Sequence, residues 1–182
     1  MSKQTDITYE VLPQPRQLRL DTTTQCNARC LSCHRFLTKR QGEMDIELID
    51  TILRDVAQWQ PPLIELVPVN YGEFLMREDW VMILAMIDKS LPSTQIVIPT
   101  NGSLLDEAEV KTICKTNNIK VINFSINAFY DETYEAFMGL KAETLKNIEH
   151  AIKMFKILRP DITLWTSMVF DPQYQTDKER DD

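Results

Sequence analysis

Long apolar runs and a surplus of basic residues are both missing from this sequence. No stretch reaches the roughly eighteen consecutive apolar residues that a membrane-spanning helix needs, and the first residues contain no apolar segment of a signal peptide. The 20 Lys and Arg residues are outnumbered by 27 Asp and Glu residues, which gives a formal net charge of −7. Because binding to phosphate backbones requires a basic surface, we expect a cytoplasmic protein with neither a nucleic-acid partner nor a membrane partner.

Glycine is scarce too, since the chain has 4, where an average usage of about 7% would give about thirteen. Two of them, Gly72 and Gly102, follow apolar segments, where glycine usually serves a special backbone angle or the close approach of another group. The chain has 4 cysteines, and three of them cluster between positions 26 and 33. Without a signal peptide, this clustering indicates a metal site in a reducing compartment rather than disulfides.

Apolar segments with the pattern of strands alternate with helical patterns, which is typical of an α/β domain with a parallel sheet and helices outside. The predicted strands cover 16–22, 63–69, 95–98, 120–126 and 162–169. The predicted helices cover 77–90, 106–116, 131–138 and 142–158, and a further helix begins at Asp45 and ends before Pro61. An open Rossmann-type sheet and a TIM-like barrel both satisfy this order, and in both folds ligands bind at the carboxyl ends of the strands.

The three clustered cysteines are Cys26, Cys30 and Cys33, with the spacing Cys-x3-Cys-x2-Cys directly after the first predicted strand. Thiolates are soft ligands that select zinc, copper(I) or iron–sulfur clusters. Closed sites of these kinds use four protein ligands, and this stretch has no clear fourth. Two alternatives stay open: a buried helical face, or a zinc site completed by His34 or Cys114. Cys114 fits the apolar face of its own predicted helix, which favours a place in the core.

Polar residues follow the other predicted strands at the same edge of the sheet. Tyr71-Gly72-Glu73 comes after the second strand and Thr100-Asn101-Gly102 after the third, while Ser125 and Asn127 lie at the end of the fourth. Because the carboxyl ends of parallel strands share one edge, these residues and the cysteines are expected to form one active site. His150 lies off the apolar stripe of its helix and is expected to face solvent.

The cysteine motif resembles the signature of the radical S-adenosylmethionine (radical SAM) enzymes, although Ser32 stands where that family usually has an aromatic residue. The resemblance implies a partial TIM-like barrel of βα units, in which Cys26, Cys30 and Cys33 hold a [4Fe–4S] cluster. The iron without a cysteine ligand would then bind the amino and carboxylate groups of SAM. The stretch Tyr71-Gly72-Glu73 is similar to the family's Gly-Gly-Glu motif, which implies that Glu73 accepts a hydrogen bond from the SAM ammonium group.

The stretches after strands three and four resemble those of the branch with SPASM-type C-terminal extensions. The resemblance implies a cofactor-binding set made of Tyr71, Gly72, Glu73, Thr100, Asn101, Ser125 and Asn127. It also implies an enzyme, either an oxidoreductase or a radical transferase. Its reduced cluster would cleave SAM to a 5′-deoxyadenosyl radical, which would abstract hydrogen from a peptide or small-molecule substrate. The alternatives are a non-catalytic zinc or iron–sulfur module and an inactive SAM-binding fragment.

Three further expectations concern the ends of the chain and its surface. We expect an N-terminal arm over 1–15, a radical SAM core over 16–170 and a polar tail over 171–182. The family's sixth strand has no counterpart, which predicts truncation after the fifth βα unit. The basic residues near the cysteines are expected to dock an acidic electron donor such as a flavodoxin or ferredoxin; they are Arg29, Arg35, Lys39 and Arg40.

Overall fold

A computed structural model of the chain describes residues 14–37 and 41–178. Over these residues, five strands alternate with helices as the sequence predicts. The strands are β1 (Gln17–Arg19), β2 (Glu65–Val67), β3 (Gln95–Thr100), β4 (Ile119–Ser125) and β5 (Thr163–Ser167). The α-helices are α1 (Ile46–Val56), α2 (Trp80–Ser90), α3 (Glu107–Ile113), α4 (Asp131–Met138) and α5 (Glu143–Leu158). Two short 3-10 helices cover His34–Leu37 and Phe74–Met76.

The sheet is parallel throughout, and its strands lie in the order β1-β2-β3-β4-β5. A doubly wound sheet reverses direction at a switch point, whereas this order follows the chain without reversal. Right-handed connections that always step in the same direction put all helices on one face of the sheet. The fold is therefore a partial barrel, and the prediction of a TIM-like arrangement with helices outside is confirmed.

The main core lies between the sheet and the helices. Strand side chains such as Leu66, Ile96 and Ile122 are fully buried there and belong to the same cluster as Leu53 of α1 and Ile83 of α2. Side chains alternate between the two faces of a strand, so the neighbouring positions point to the opposite, inner face. There Val67, Val97 and Val121 form a small separate cluster. Both faces of the central strands are therefore covered, as their nearly continuous apolar runs predict.

Helix α2 begins later than the prediction for 77–90, at Trp80. Arg77 has an extended backbone with ψ 134°, and its side chain is 3% exposed. Its guanidinium group donates to the backbone oxygens of Thr22 (2.6 Å) and Met44 (3.0 Å) and forms two hydrogen bonds to Asp79. The helical pattern did not reveal this role, because it depends on the partners that the fold brings to Arg77.

The ends of the chain are described only in part. The predicted arm over 1–15 lies outside the described residues except for 14 and 15, and the predicted tail over 171–182 is described as far as 178. Tail residue Gln175 is buried, and the ring of Tyr174 packs edge-on against Phe137 of α4 with 6.1 Å between the ring centroids. None of the helices in the described ranges combines the length and the apolar character that a bilayer crossing requires.

Candidate metal and cofactor site

A cavity of about 320 Å³ lies at the carboxyl ends of the strands. All three clustered cysteines line it, together with His34 and Met138. The cavity is also lined by every residue of the predicted cofactor-binding set, namely Tyr71, Gly72, Glu73, Thr100, Asn101, Ser125 and Asn127. The fold therefore brings together residues that are separated by more than a hundred positions in the sequence, such as Cys26 and Met138.

The cysteine loop is held against the end of α4 by its backbone. The Arg29 N–H donates to the Met138 oxygen (2.8 Å), and the Leu31 N–H donates to the Phe137 oxygen (3.0 Å). Gly139, directly after α4, has φ 64°, and a Cβ at this position would lie 3.0 Å from the Cβ of Arg29. Glycine therefore both ends the helix in the left-handed conformation and leaves room for the loop that carries Cys30.

Within the loop, each cysteine has identifiable neighbours. The Cys33 N–H donates to the Cys30 oxygen (3.1 Å), and the Arg35 N–H lies 3.4 Å from the Cys33 sulfur. The sulfur of Cys30 lies 3.5 Å from the sulfur of Met138, a fully buried residue. The Arg35 guanidinium donates to the backbone oxygen of Ala28 (3.2 Å), so a cation is fixed inside the loop.

Burial raises the pKa of the Cys30 thiol to about 11, and the nearby sulfurs of Cys26 and Cys33 add to this effect. Burial also raises the pKa of Cys26. A group of thiols that resists ionisation in an empty site is deprotonated when a metal centre binds, because the cation replaces the missing counter-charge. Cys26 and Cys30 are thus suited to a cationic metal centre rather than to the state of free thiolates.

The loop after β2 packs directly on the chain that leads into the cysteine loop. A Cβ on Gly72 would lie 2.3 Å from the Thr23 oxygen and 2.8 Å from the Gln25 oxygen, so no side chain fits at this position. The next residue, Glu73, donates its N–H to the Gln25 oxygen (2.7 Å). On the other side, the carboxylate of Asp21 accepts from the backbone N–H of residue 70 (3.0 Å) and residue 71 (3.2 Å).

The Glu73 carboxyl group connects strands β2 and β3. It is 2% exposed and accepts hydrogen bonds from the Thr100 hydroxyl (2.9 Å), the Asn101 N–H (2.7 Å) and, at 3.4 Å, the Leu75 N–H. Burial raises the pKa of Glu73 to about 7, although these hydrogen bonds act in the opposite direction. Glu73 is therefore a buried carboxyl group that titrates near neutral pH.

Asn127, after β4, ties three segments together. Its amide nitrogen lies 3.0 Å from the Met138 sulfur, and its side-chain oxygen accepts from the Val169 N–H (2.9 Å). Its backbone oxygen accepts from the side chain of Gln175, whose own oxygen accepts from the Asp171 N–H. The residues after β5 thereby close the cavity on the side of β4.

A model for the family described as "Radical SAM superfamily" matches residues 20–181, which is most of the chain. The chain belongs to the radical SAM superfamily. The family's cofactors are S-adenosylmethionine and a [4Fe–4S] cluster, so the cofactor prediction is confirmed at the level of the family. The residues of this chain fit these cofactors, since three cysteines and four strand ends line one cavity.

The chain is similar to several proteins with different names. A probable GTP 3′,8-cyclase from Thermococcus kodakarensis is 30% identical over 154 residues, which is 81% of this chain and 47% of that protein. The chain thus spans about half the length of this curated relative. Streptococcus suis SuiB bound to S-adenosylmethionine has TM-score 0.71 and 17% identity, over 91% of this chain and 36% of the other. BtrN in complex with AdoMet and 2-DOIA has TM-score 0.67 and 18% identity, over 85% and 58%.

Because SuiB and BtrN are only 17% and 18% identical to this chain, their structures show that the fold is shared and no more. SuiB is one of the SPASM-type enzymes among the structural neighbours, the type that the sequence resemblance named. The substrate does not follow from the comparison, because the three relatives carry different names and bound molecules.

Cys114 and His150 lie away from the three clustered cysteines. Cys114 packs against the main core at the end of α3, as predicted. His150 is exposed on α5 and lines a different cavity, beside Glu107 and Asn147. Among the described residues, no three His, Cys, Asp or Glu side chains come close enough together to hold one metal ion. A cluster differs from a single ion because each thiolate binds a different iron.

Of the basic residues near the cysteines, the structure describes Arg29 and Arg35. Arg29 is exposed, but Arg35 is only 8% exposed because it lies inside the loop on the Ala28 oxygen. A place for Arg35 on a docking surface is therefore wrong. Lys39 and Arg40 lie outside the described residues.

Several residues at the site were missed from the sequence. These residues are Met138, Gln175 and Asp21. The sequence patterns placed Met138 in a helix, Gln175 in a polar tail and Asp21 near the end of a strand. The one available signal was the position of Asp21 at the end of β1, on the edge where ligands bind.

Proposed function

We propose that this chain is a radical SAM catalytic core, in which Cys26, Cys30 and Cys33 hold a [4Fe–4S] cluster and the ends of β2, β3 and β4 bind S-adenosylmethionine. When bound, this pair of cofactors supplies a 5′-deoxyadenosyl radical, formed by one-electron cleavage of SAM, that removes a hydrogen atom from a substrate. We also propose that the overall reaction is that of an oxidoreductase or of a radical transferase.

The shared cavity carries the proposal. It has a volume of about 320 Å³, within the range of small-molecule sites, and both the cysteines and the polar strand ends line it. The cavity wall also contains buried apolar side chains, such as Met138 and Ala28. An apolar wall that excludes water protects a reactive intermediate from side reactions.

The chain's own residues have distinct tasks in this proposal. The cysteines bind the cluster, and Arg35 places a positive charge inside their loop. Glu73 is the candidate acceptor for the SAM ammonium group, since one oxygen of its carboxyl has a single donor, the Asn101 N–H, within the described part of the chain. Ser125 and Tyr71 line the cavity and are candidate contacts to the rest of SAM.

The substrate is proposed only as a class. SuiB has been solved with its precursor peptide SuiA, BtrN with the small molecule 2-DOIA, and the curated relative is named a GTP cyclase. We propose a peptide or a small molecule as the substrate of this chain, and a one-electron donor such as a flavodoxin or ferredoxin as its partner.

The test is anaerobic reconstitution with iron and sulfide, followed by incubation with SAM and dithionite. We expect about four irons and four sulfides per chain, and formation of 5′-deoxyadenosine with methionine. Cys30→Ala should lose the cluster, whereas the matched control Cys114→Ala should keep it, because Cys114 packs in the core.

The alternatives give different results in the same experiment. Zinc without acid-labile sulfide would identify a metal-binding module. A complete cluster that binds SAM but never forms 5′-deoxyadenosine, with dithionite or with a flavodoxin, would identify an inactive SAM-binding core. Unchanged iron content in Cys30→Ala would end the assignment of the cysteines.

A further inference from the structure

The side chain of Asn101 lies beside the first cysteine of the loop, although the two residues are far apart in the sequence. Its amide nitrogen lies 3.8 Å from the Cys26 sulfur and donates to the side-chain oxygen of Asn27 at 2.9 Å. Asn101 is 5% exposed, so water has little access to this group. The amide thus presents N–H groups to the cysteine and to its immediate neighbour.

The orientation of this amide is fixed by Ser103. The side-chain oxygen of Asn101 accepts from the Ser103 backbone N–H (2.9 Å) and from the Ser103 hydroxyl (2.6 Å). The Asn27 amide donates to the same hydroxyl at 2.7 Å. Asn27, Asn101 and Ser103 therefore form a closed ring of hydrogen bonds, which requires the nitrogen of Asn101, and not its oxygen, to face Cys26.

The backbone of Asn101 is fixed as well. Its N–H donates to the buried carboxyl of Glu73, and the neighbouring Thr100 hydroxyl accepts from the Gly102 N–H at 3.0 Å. An amide side chain has two N–H groups and two acceptor lone pairs. In Asn101 both acceptor positions are used by Ser103, and the N–H groups face Asn27 and Cys26. The side chain has no hydrogen-bonding capacity left for SAM while this ring is intact.

We propose that Asn101 is a positioning residue that donates an N–H···S hydrogen bond to Cys26 and thereby raises the reduction potential of the cluster. This inference rests on the proposed function, because it requires a cluster at Cys26. Reduction adds negative charge to the cluster, part of which resides on the cysteine sulfurs. A donor aimed at a sulfur stabilises the reduced form more than the oxidised form, and hydrogen bonds to sulfur are among the factors that set these potentials.

The experiment compares reconstituted parent, Asn101→Ala and Ser103→Ala proteins. Iron and sulfide are counted first, and the midpoint potential of the cluster is then measured without SAM by titration followed by electron paramagnetic resonance. In Asn101→Ala we expect normal iron content and an equilibrium constant for reduction about tenfold lower, which is a shift of about 59 mV for a one-electron couple. Ser103→Ala keeps the donor but loosens its orientation, so its potential should fall by less, in the same direction.

The matched control is Asn147→Ala, an asparagine that lines the separate cavity beside α5, and its potential should equal that of the parent. If Asn101→Ala and Ser103→Ala both have the same midpoint potential as the parent, the inference is overturned, while the proposed function stays intact. A loss of SAM affinity at unchanged potential would overturn it in favour of a direct contact between Asn101 and SAM. If Asn101→Ala takes up no iron, Ser103→Ala is the test: a lower potential supports the inference, and an unchanged potential overturns it. If the parent itself takes up no iron, both proposals are overturned.

Discussion

Replacing Glu73 by glutamine should remove a pH dependence from the stability of the fold. The pKa of Glu73 is raised from the ordinary value of 4.5 to about 7, chiefly by burial. The folded chain therefore holds a proton on this group in a pH range where the unfolded chain has released it. Because the folded pKa is the higher one, the stability contribution of Glu73 is fully present below pH 4.5 and is lost as the pH rises through 7.

The size of the effect follows from the two pKa values. Each pH unit between them is worth about 1.4 kcal/mol, so the loss between pH 4.5 and pH 7 is about 3 kcal/mol. Solvent screens this carboxyl group little, since it is buried. In Glu73→Gln the amide oxygen can accept from the Asn101 N–H and the amide nitrogen can donate to the Thr100 hydroxyl. The variant therefore keeps partners for Asn101 and Thr100 but cannot ionise, whereas the long bond from the Leu75 N–H (3.4 Å) loses its acceptor at every pH alike.

The assay is urea unfolding of the reduced chain without cofactors, for the parent and Glu73→Gln, at several pH values from 4.5 to 8.5. Other titrating groups contribute equally to both proteins, so the difference between their unfolding free energies isolates Glu73. The variant should gain about 3 kcal/mol relative to the parent between pH 4.5 and pH 8. Glu132→Gln, at an exposed position on α4, is the matched control and should follow the parent. Parallel profiles for the parent and Glu73→Gln would refute the reasoning.

The same variant tests the proposed contact between Glu73 and SAM. A hydrogen bond between the SAM ammonium and an ionised carboxylate is worth about 1.5–3 kcal/mol, so affinity should fall about ten- to a hundredfold in Glu73→Gln. Because the ammonium favours the ionised carboxylate, the parent should bind SAM more tightly as the pH rises through 7. Equal affinities at pH 8 would show that Glu73 only connects β2 and β3.

Three further predictions concern the loops around the site. Gly72→Ala should destabilise the fold by about 1–3 kcal/mol and lower iron uptake, measured by urea unfolding and iron analysis, because its Cβ would meet the backbone that enters the cysteine loop at 2.3 Å. Gln175→Ala leaves the buried oxygen of Asn127 without its donor and should cost about 1–3 kcal/mol of unfolding free energy, whereas Gln173→Ala, at an exposed position, should cost little. Arg29→Glu should slow cluster reduction by an acidic flavodoxin several-fold at low salt, and stopped-flow rates should converge at high salt. A salt-independent rate in both proteins would count against docking at Arg29.

The order of strands and helices followed from the sequence because it depends on local patterns. Helix α4 has the bounds that were predicted, 131–138, since its buried residues Tyr134, Phe137 and Met138 have helical spacing and Gly139 ends it. The strands β1 and β2 are shorter than the predicted ranges 16–22 and 63–69, because the regular ladder between them covers 17–19 and 65–67, although single backbone hydrogen bonds continue as far as Thr22. Periodicity reports the burial of side chains, but it does not report where backbone pairing ends.

The location of the site was also predictable, whereas the partners of its residues were not. Parallel strands bring their carboxyl ends to one edge, so residues that follow different strands must meet there, and the cavity contains all ten predicted residues. The partners of each polar group depend on small differences in the positions of the loops, which the sequence pattern does not report. Arg35 illustrates the limit: its position beside the cysteines indicated a surface charge, but the loop folds around it.

In the proposed function, the hydrogen bonds of the strand ends link cofactor binding to the stability of the fold. Glu73 joins β2 to β3 through Asn101, Asn101 joins β3 to the cysteine loop through Asn27, and Asn127 joins β4 to the residues after β5. Each of these links holds a backbone segment that lines the cavity. A substitution at one of them can therefore change stability and cofactor affinity together, so a measurement that separates the two effects, such as the cluster potential or the pH profile, is needed to assign the residue its role.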